Sequence, residues 1–415
     1  MILAQAFSRF VFDLDGVVWR ADEPIAGAPE TIRSLRDAGK RVAFVTNNSG
    51  ETPERYAKKL ADMGAGGSPE EVVTSADATA ALLERAIPGL RGRLAYVIGG
   101  EGLRQAVKAV GVRIAPDDEG ADASLVVVGI DRDLSYDKLR VATTAIRNGA
   151  IFVASNTDAT YPAPAGEQWP GAGAIVAALR TTTGIDPLVA GKPEPTMLEI
   201  AAKRLGGTPA LAVGDRVETD IMAATAMGWP SALVLSGATG VPELAAAPAW
   251  PDFVLRRLTE LLEDRPHPTL RPAAGPDLPL IASMLHQGGL IAGAARERIG
   301  RTVVAESDRK PIATASWEPF GDKALLRSVA VSDEHRRSGT GTLVVASMLR
   351  KILESGIRDV YLVTETAERF FTACGFRTID RGELPEEIER HPQVARECSI
   401  TAPTMHLVLP VPQSR

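Results

Sequence analysis

Short apolar runs alternate with amphipathic stretches from the beginning of the chain. Phe10-Val11-Phe12 has the length and composition of a buried strand, and 28–38 repeats its apolar positions at helical spacing. Residues 41–45 read as the next strand and 53–63 as the next helix. This strand–helix–strand order predicts a parallel sheet with helices on its faces. The same alternation returns at 210–213, 220–227 and 231–235. Between the two blocks lies a stretch with its own alternation, at 94–98, 102–110, 125–128, 136–147 and 151–154. A connection of that length is not a structureless loop, so it predicts a domain inserted between strands of the first sheet. Residues 264–272 carry three prolines in nine positions and read as a linker. Beyond them the pattern predicts a helix at 278–287, strands at 302–305, 311–317 and 324–331, and a helix at 341–355. A strand at 360–363, a helix at 367–373 and a closing strand at 404–409 follow. The expected partition is a core at 1–78 and 187–263, an inserted α/β domain at 79–186, a linker at 264–271 and an α+β domain at 272–415.

Composition narrows the class. The 415 residues are 45% hydrophobic and 24% charged, which is globular, and the length calls for more than one core. A net charge of −6 gives no whole-chain reason to expect nucleic acid as a partner. The two cysteines, Cys374 and Cys398, are too few for a disulfide framework and match no zinc spacing. No apolar stretch reaches the roughly 18 residues of a spanning helix, and the start lacks the features of a signal segment. The expectation is a cytoplasmic protein without a membrane partner; whether it forms a homo-oligomer is left open.

Four motifs each close an apolar strand. Phe12-Asp13-Leu14-Asp15-Gly16 puts two carboxylates two residues apart. At the carboxyl end of a parallel strand one can attack phosphorus and the other can move protons, although two solvated turn aspartates would look the same. Phe44-Val45-Thr46-Asn47-Asn48 ends in a hydroxyl and amides that could hold phosphoryl oxygens, or be ordinary turn residues. Gly191-Lys192-Pro193 offers an ammonium before a proline-opened helix, where a lone surface lysine is the alternative. Val213-Gly214-Asp215 … Asp220 adds two carboxylates: Asp215, with Asp13, could bind Mg²⁺ directly, and Asp220 could act through water, position Lys192 or cap the following helix. The ordered set is far more specific than any member.

These residues resemble the haloacid dehalogenase superfamily of phosphatases, in the branch with phosphoglycolate, nitrophenyl-phosphate and glycerol-phosphate phosphatases, over about residues 8–262. The resemblance implies a Rossmann-like phosphatase core with an α/β cap in place of the insert. It also implies Asp13 as nucleophile and Asp15 as general acid/base whose carbonyl binds Mg²⁺. Thr46, Asn47 and Lys192 fall at phosphate-binding or catalytic positions, and Asp13, Asp15, Asp215 and Asp220 at metal positions. The implied substrate is a small phosphorylated molecule of glycerol phosphate or phosphoglycolate type, with Arg132 and Asp158 as candidate leaving-group contacts on the cap side.

In the C-terminal part, Ser328-Val-Ala-Val331 is followed by His335-Arg336-Arg337-Ser338-Gly339-Thr340-Gly341 and a helix. A glycine-rich turn before a helix exposes N–H groups to a pyrophosphate. This resembles the Gcn5-related N-acetyltransferase superfamily over about 269–410, which implies contacts from Val329, Val331, Arg336, Gly339 and Gly341 to acetyl-CoA. One departure stands out: Phe370 and Phe371 lie where many members place a tyrosine acid. Glu318, Glu334 and Glu365 are candidate bases. Three readings stay open: a phosphatase with an acetyltransferase-like appendage, an N-acetyltransferase with an ancillary phosphatase half, and a phosphatase regulated by acyl-CoA binding.

Overall fold

The computed structural model describes residues 1–163, 167–290, 295–392, 394–395, 399 and 401–411; Cys398 lies outside the described residues. The chain forms two compact units. One is Leu3–Gly237 with Arg257–Leu262; the other is Met1–Ile2, Ala238–Arg256 and Glu263–Arg415.

The first unit is built on two parallel sheets. In one, the order is Ser231–Val234, Leu211–Gly214, Arg9–Asp13, Arg41–Thr46, Val72–Thr74, and every pair is parallel. Arg9–Asp13 is flanked on both sides, so Phe10 and Phe12 are buried, with their rings stacked 5.9 Å apart. Burial on both faces is why this strand reads as a continuous apolar run. The register pairs Phe12 with both Val213 and Phe44, and Asp13 with Val45. It thereby sets the ends of three strands, at Asp13, Thr46 and Gly214, along one edge.

The second sheet runs Leu188–Val189, Ile151–Ala154, Leu125–Val128, Leu94–Ile98, Arg113–Ile114, again parallel throughout. The helices Tyr136–Arg147 and Ala172–Thr183 contribute Val141, Ile146, Ile175 and Leu179 to its core. An antiparallel hairpin, Thr160–Pro162 with Gln168–Pro170, leaves this sheet.

Residues 220–227, expected to be one helix, open with a π-helical turn, Val217–Ile221, before Met222–Ala226. Asp220 lies in that turn, and its carboxylate is bonded away from the helix. π-Turns of this kind accompany functional side chains.

The C-terminal unit holds a seven-stranded sheet in the order Thr269–Pro272, Thr302–Ser307, Lys310–Phe320, Lys323–Val331, Asp359–Val363, Thr404–Val408, Arg377–Ile379. All pairs are antiparallel except Lys323–Val331 with Asp359–Val363, which the 15-residue helix Thr340–Glu354 connects. Thr269–Pro272, largely inside the stretch read as a linker, pairs with Thr302–Ser307 as the edge strand. Among the described residues no helix is long and apolar enough to cross a membrane.

Candidate functional site

The edge where the strands of the first sheet end is also where its charges gather. Asp13, Asp215, Asp220 and Lys192 are 7%, 3%, 7% and 2% exposed. Lys192 Nζ donates to Asp13 Oδ1 and to Asp220 Oδ1, each at 2.5 Å. One carboxylate oxygen from each of Asp13, Asp215 and Asp220 lies within 4.8 Å of the others. The same cleft, of about 70 Å³, is lined by Asp15, Thr46, Asn47, Asn48, Thr219 and, from the inserted sheet's side, Ile130, Asn156, Asp158 and Tyr161.

Backbone geometry permits this crowding. Gly16 sits at φ +83°, and a Cβ on it would meet Asp215 Oδ2 at 2.3 Å. At Gly214 a Cβ would lie 2.2 Å from the Cβ of Asp220. The glycines beside both acidic motifs are therefore required for the carboxylates to approach.

Electrostatics follow from burial. Desolvation pushes the Asp13 carboxyl well above its usual range; Lys192 opposes the shift, and Asp220 and Asp215 add to it. Burial works against charge on Lys192, yet Asp13 and Asp220 outweigh it and raise the ammonium pKa above its ordinary value. Asp15 is raised chiefly by burial, with Lys59, the Trp19 N–H, Lys192 and Arg216 opposing. Three carboxylates facing one ammonium form a hard-oxygen donor set with excess negative charge, which fits a divalent cation of the Mg²⁺ type.

Within this set the roles divide. Asp220 Oδ2 accepts from the backbone N–H groups of Asp215 and Arg216, while Oδ1 holds Lys192. Its oxygens thus cap the turn and fix the lysine. Asn47 behaves similarly. Its Nδ2 donates to both Asp158 oxygens at 3.1 Å and to the Lys192 carbonyl at 3.2 Å, and its Oδ1 accepts from Lys192 N at 2.9 Å. The Asn47 side chain is occupied as a brace, whereas Thr46, whose Oγ1 accepts from the Asn48 N–H at 3.1 Å, lines the cleft. Arg132 is not among the cleft-lining residues; its guanidinium stacks 5.7 and 5.8 Å from the rings of Tyr161 and Trp169. The segment 154–158 resembles a substrate-facing loop of the cap in sequence, but that resemblance gave no individual role to Asn156, whose Nδ2 donates to the Asn47 carbonyl at 2.6 Å, nor to Tyr161. Both flank Asp158, so the segment 154–158 was the available signal.

In the C-terminal unit, Val329, Val331, Arg336, Gly339 and Gly341 all line one cavity of about 790 Å³. Parallel pairing between its two central strands ends at Leu325 with Tyr361, and the cavity is lined by the residues beyond that point on both strands. Gly339, at φ +85°, caps the Thr340–Glu354 helix. Phe370 and Phe371 face the cavity, as does Glu365. Glu318 is saturated by Arg327 at 2.5 Å, Arg298 at 3.3 Å and His391 at 3.2 Å, and Glu334 is exposed. Cys374 is buried, which raises its thiol to about 12 and leaves it unreactive.

Comparison with known proteins agrees with this division. Residues 10–113 match the family described as haloacid dehalogenase-like hydrolase, 189–261 match a HAD-hydrolase-like family, and 298–378 match the acetyltransferase (GNAT) domain. A 5′-nucleotidase of Bacillus subtilis is 37% identical over 258 residues, 62% of this chain and 98% of its own. The chain belongs to the haloacid dehalogenase-like hydrolase family. It stands on the phosphatase side of that family and carries a GNAT domain. Phosphoglycolate phosphatase 1A of Arabidopsis thaliana is 35% identical over 285 residues, 63% of this chain and 78% of its own. A glycerol phosphate phosphatase from Mycobacterium tuberculosis, solved with magnesium, superposes with a TM-score of 0.67 at 29% identity. That match covers 90% of this chain and 98% of the other, so it extends past the sequence relatives into the C-terminal unit.

Proposed function

We propose that this HAD-family enzyme hydrolyses a small phosphate monoester of the glycerol phosphate or phosphoglycolate type through an aspartyl-phosphate on Asp13. The observation that carries the reading is the buried Lys192, bonded at once to Asp13 and Asp220. Its ammonium holds Asp13 in place and offers positive charge to the transferring phosphoryl group. Asp13 and Asp215, with the Asp15 carbonyl, would hold Mg²⁺; the ion would supply charge neutralisation for the phosphoryl oxygens. The Thr46 hydroxyl, whose oxygen accepts from the Asn48 N–H, donates to those oxygens. Asp15, whose carboxyl is pushed above its usual range by burial, gives a proton to the leaving oxygen and later takes one from water. The cap-side wall of Ile130, Asp158 and Tyr161 limits the leaving group to a small one and excludes water.

The test is Asp13→Asn assayed with Mg²⁺ against a panel of small phosphate esters. Turnover should fall by about three orders of magnitude or more with folding retained; a variant with normal turnover would end the reading. In the C-terminal unit, the cavity and its glycine turn favour acetyl-CoA as ligand. Saturated Glu318 and the phenylalanines at 370 and 371 favour binding over transfer. Calorimetric titration with acetyl-CoA checks the first point, and acetyl-CoA consumption over an amine panel checks the second.

A further inference from the structure

Asp15 is held by more than its own strand end. Backbone bonds from Gly16 N to the Trp19 carbonyl (2.7 Å) and from Trp19 N to the Leu14 carbonyl (3.2 Å) fold 14–19 into a tight turn. That turn brings the Trp19 indole back onto Asp15, and Nε1–H donates to Asp15 Oδ1 at 3.0 Å. The indole is 1% exposed and cannot rotate freely. Tyr56 stacks on it at 6.4 Å with an interplanar angle of 6°, and Lys59 Nζ lies 4.6 Å from its ring. Lys59 is itself tied to the Ala21 carbonyl at 2.6 Å. Tyr56 and Lys59 are three residues apart, hence on one face of the Pro53–Asp62 helix. A cation over an indole also polarises it, which strengthens the N–H as a donor.

We infer that Trp19, clamped by Tyr56 and Lys59, is a positioning residue: it occupies Asp15 Oδ1 and so presents Oδ2 to the leaving group. The inference rests on the proposed role of Asp15. In the first step an Asp13 oxygen bonds to phosphorus as the bond to the leaving oxygen breaks. That oxygen keeps the electron pair and receives the proton from Asp15. In the second step a water oxygen attacks phosphorus and gives its proton to the Asp15 carboxylate. The bond to Asp13 breaks, returning the carboxylate and inorganic phosphate. Without the indole N–H, the Asp15 carboxyl would rotate among several orientations, only some of which reach the leaving oxygen.

Leaving-group dependence separates this role from a structural one. An alkoxide needs the proton as the bond breaks, whereas p-nitrophenolate departs without it. Trp19→Phe keeps the ring and removes the donor. On glycerol phosphate its kcat/KM, which reports the step that expels the leaving group, should fall on the order of tenfold, part of the ~10²–10⁴ that a positioned acid contributes. On p-nitrophenyl phosphate kcat/KM should change by less than about threefold; the later hydrolysis of the aspartyl-phosphate is common to both substrates and does not enter this ratio. Tyr56→Leu keeps the N–H but removes the platform, and should show the same selectivity with a smaller loss. Equal losses on both substrates by well-folded variants, or no loss on either, would overturn the assignment to Trp19. Asp13→Asn run alongside distinguishes the two ideas. If it is inactive while Trp19→Phe is unselective, only the Trp19 role is lost; if it retains turnover, the aspartyl-phosphate reading goes first.

Discussion

Lys192 is a charged group in a nearly dry pocket, tolerated because two carboxylates meet it there. Replacing it by methionine takes the ammonium away from Asp13 and Asp220, which stay buried. Breaking a buried pair from one side typically costs about 3–5 kcal/mol. Lys192→Met should therefore lower the denaturation midpoint in chelator, and Mg²⁺ should restore part of the loss while phosphatase turnover stays down. A second residue gives a pH signature. Burial, helped by the Arg265 guanidinium, holds the His267 imidazole at about 4, below its ordinary 6.5. A depressed histidine favours the folded state while it is neutral. Its contribution is thus complete above pH 6.5 and is lost as pH falls from 6.5 toward 4. Thermal melts across that window should show His267→Gln losing less stability than the parent protein.

At the scale of elements, the apolar runs forecast the strands well because strands buried on both faces leave little room for ambiguity. Phe10-Val11-Phe12 and Leu125–Val128 are of that kind. The two-residue strands Arg113–Ile114 and Leu188–Val189 were not legible, since each is short and half-exposed at a sheet edge. The hairpin at Thr160–Pro162 escaped notice for a similar reason. Its partner strand, Gln168–Pro170, is exposed throughout and carries no alternation. Of the candidate site, the residue types, their order and the option that Asp220 positions Lys192 were readable, but the bracing role of Asn47 was not. Only coordinates show that the oxygens of Asp220 and the amide of Asn47 already have partners. Glycines at element junctions supply the tests at this scale. Gly214→Ala would drive a methyl into Asp220 and displace Lys192 with it, so turnover should fall at least a hundredfold, about the loss from misplacing a catalytic group. Gly339→Val would place a β-branched residue at φ +85°, where Arg265 already crowds the Cβ position. Acetyl-CoA affinity by calorimetry should drop with phosphatase activity unchanged.

For the whole molecule, two compact units with separate cavities imply separate ligand linkages. A ligand at a hundred times its Kd stabilises the state it binds by about 2.7 kcal/mol. Scanning calorimetry should accordingly find one transition that responds to Mg²⁺ with inorganic phosphate and another that responds to acetyl-CoA. The Asn47 carboxamide carries a further consequence. It grips Asp158, just beyond a strand of the inserted sheet, and the Lys192 peptide, just beyond another. Any swing that lets product escape past Asp158 must undo a knot that also tethers the lysine. Departure of phosphate and rearming of the nucleophile then become two readings of one equilibrium.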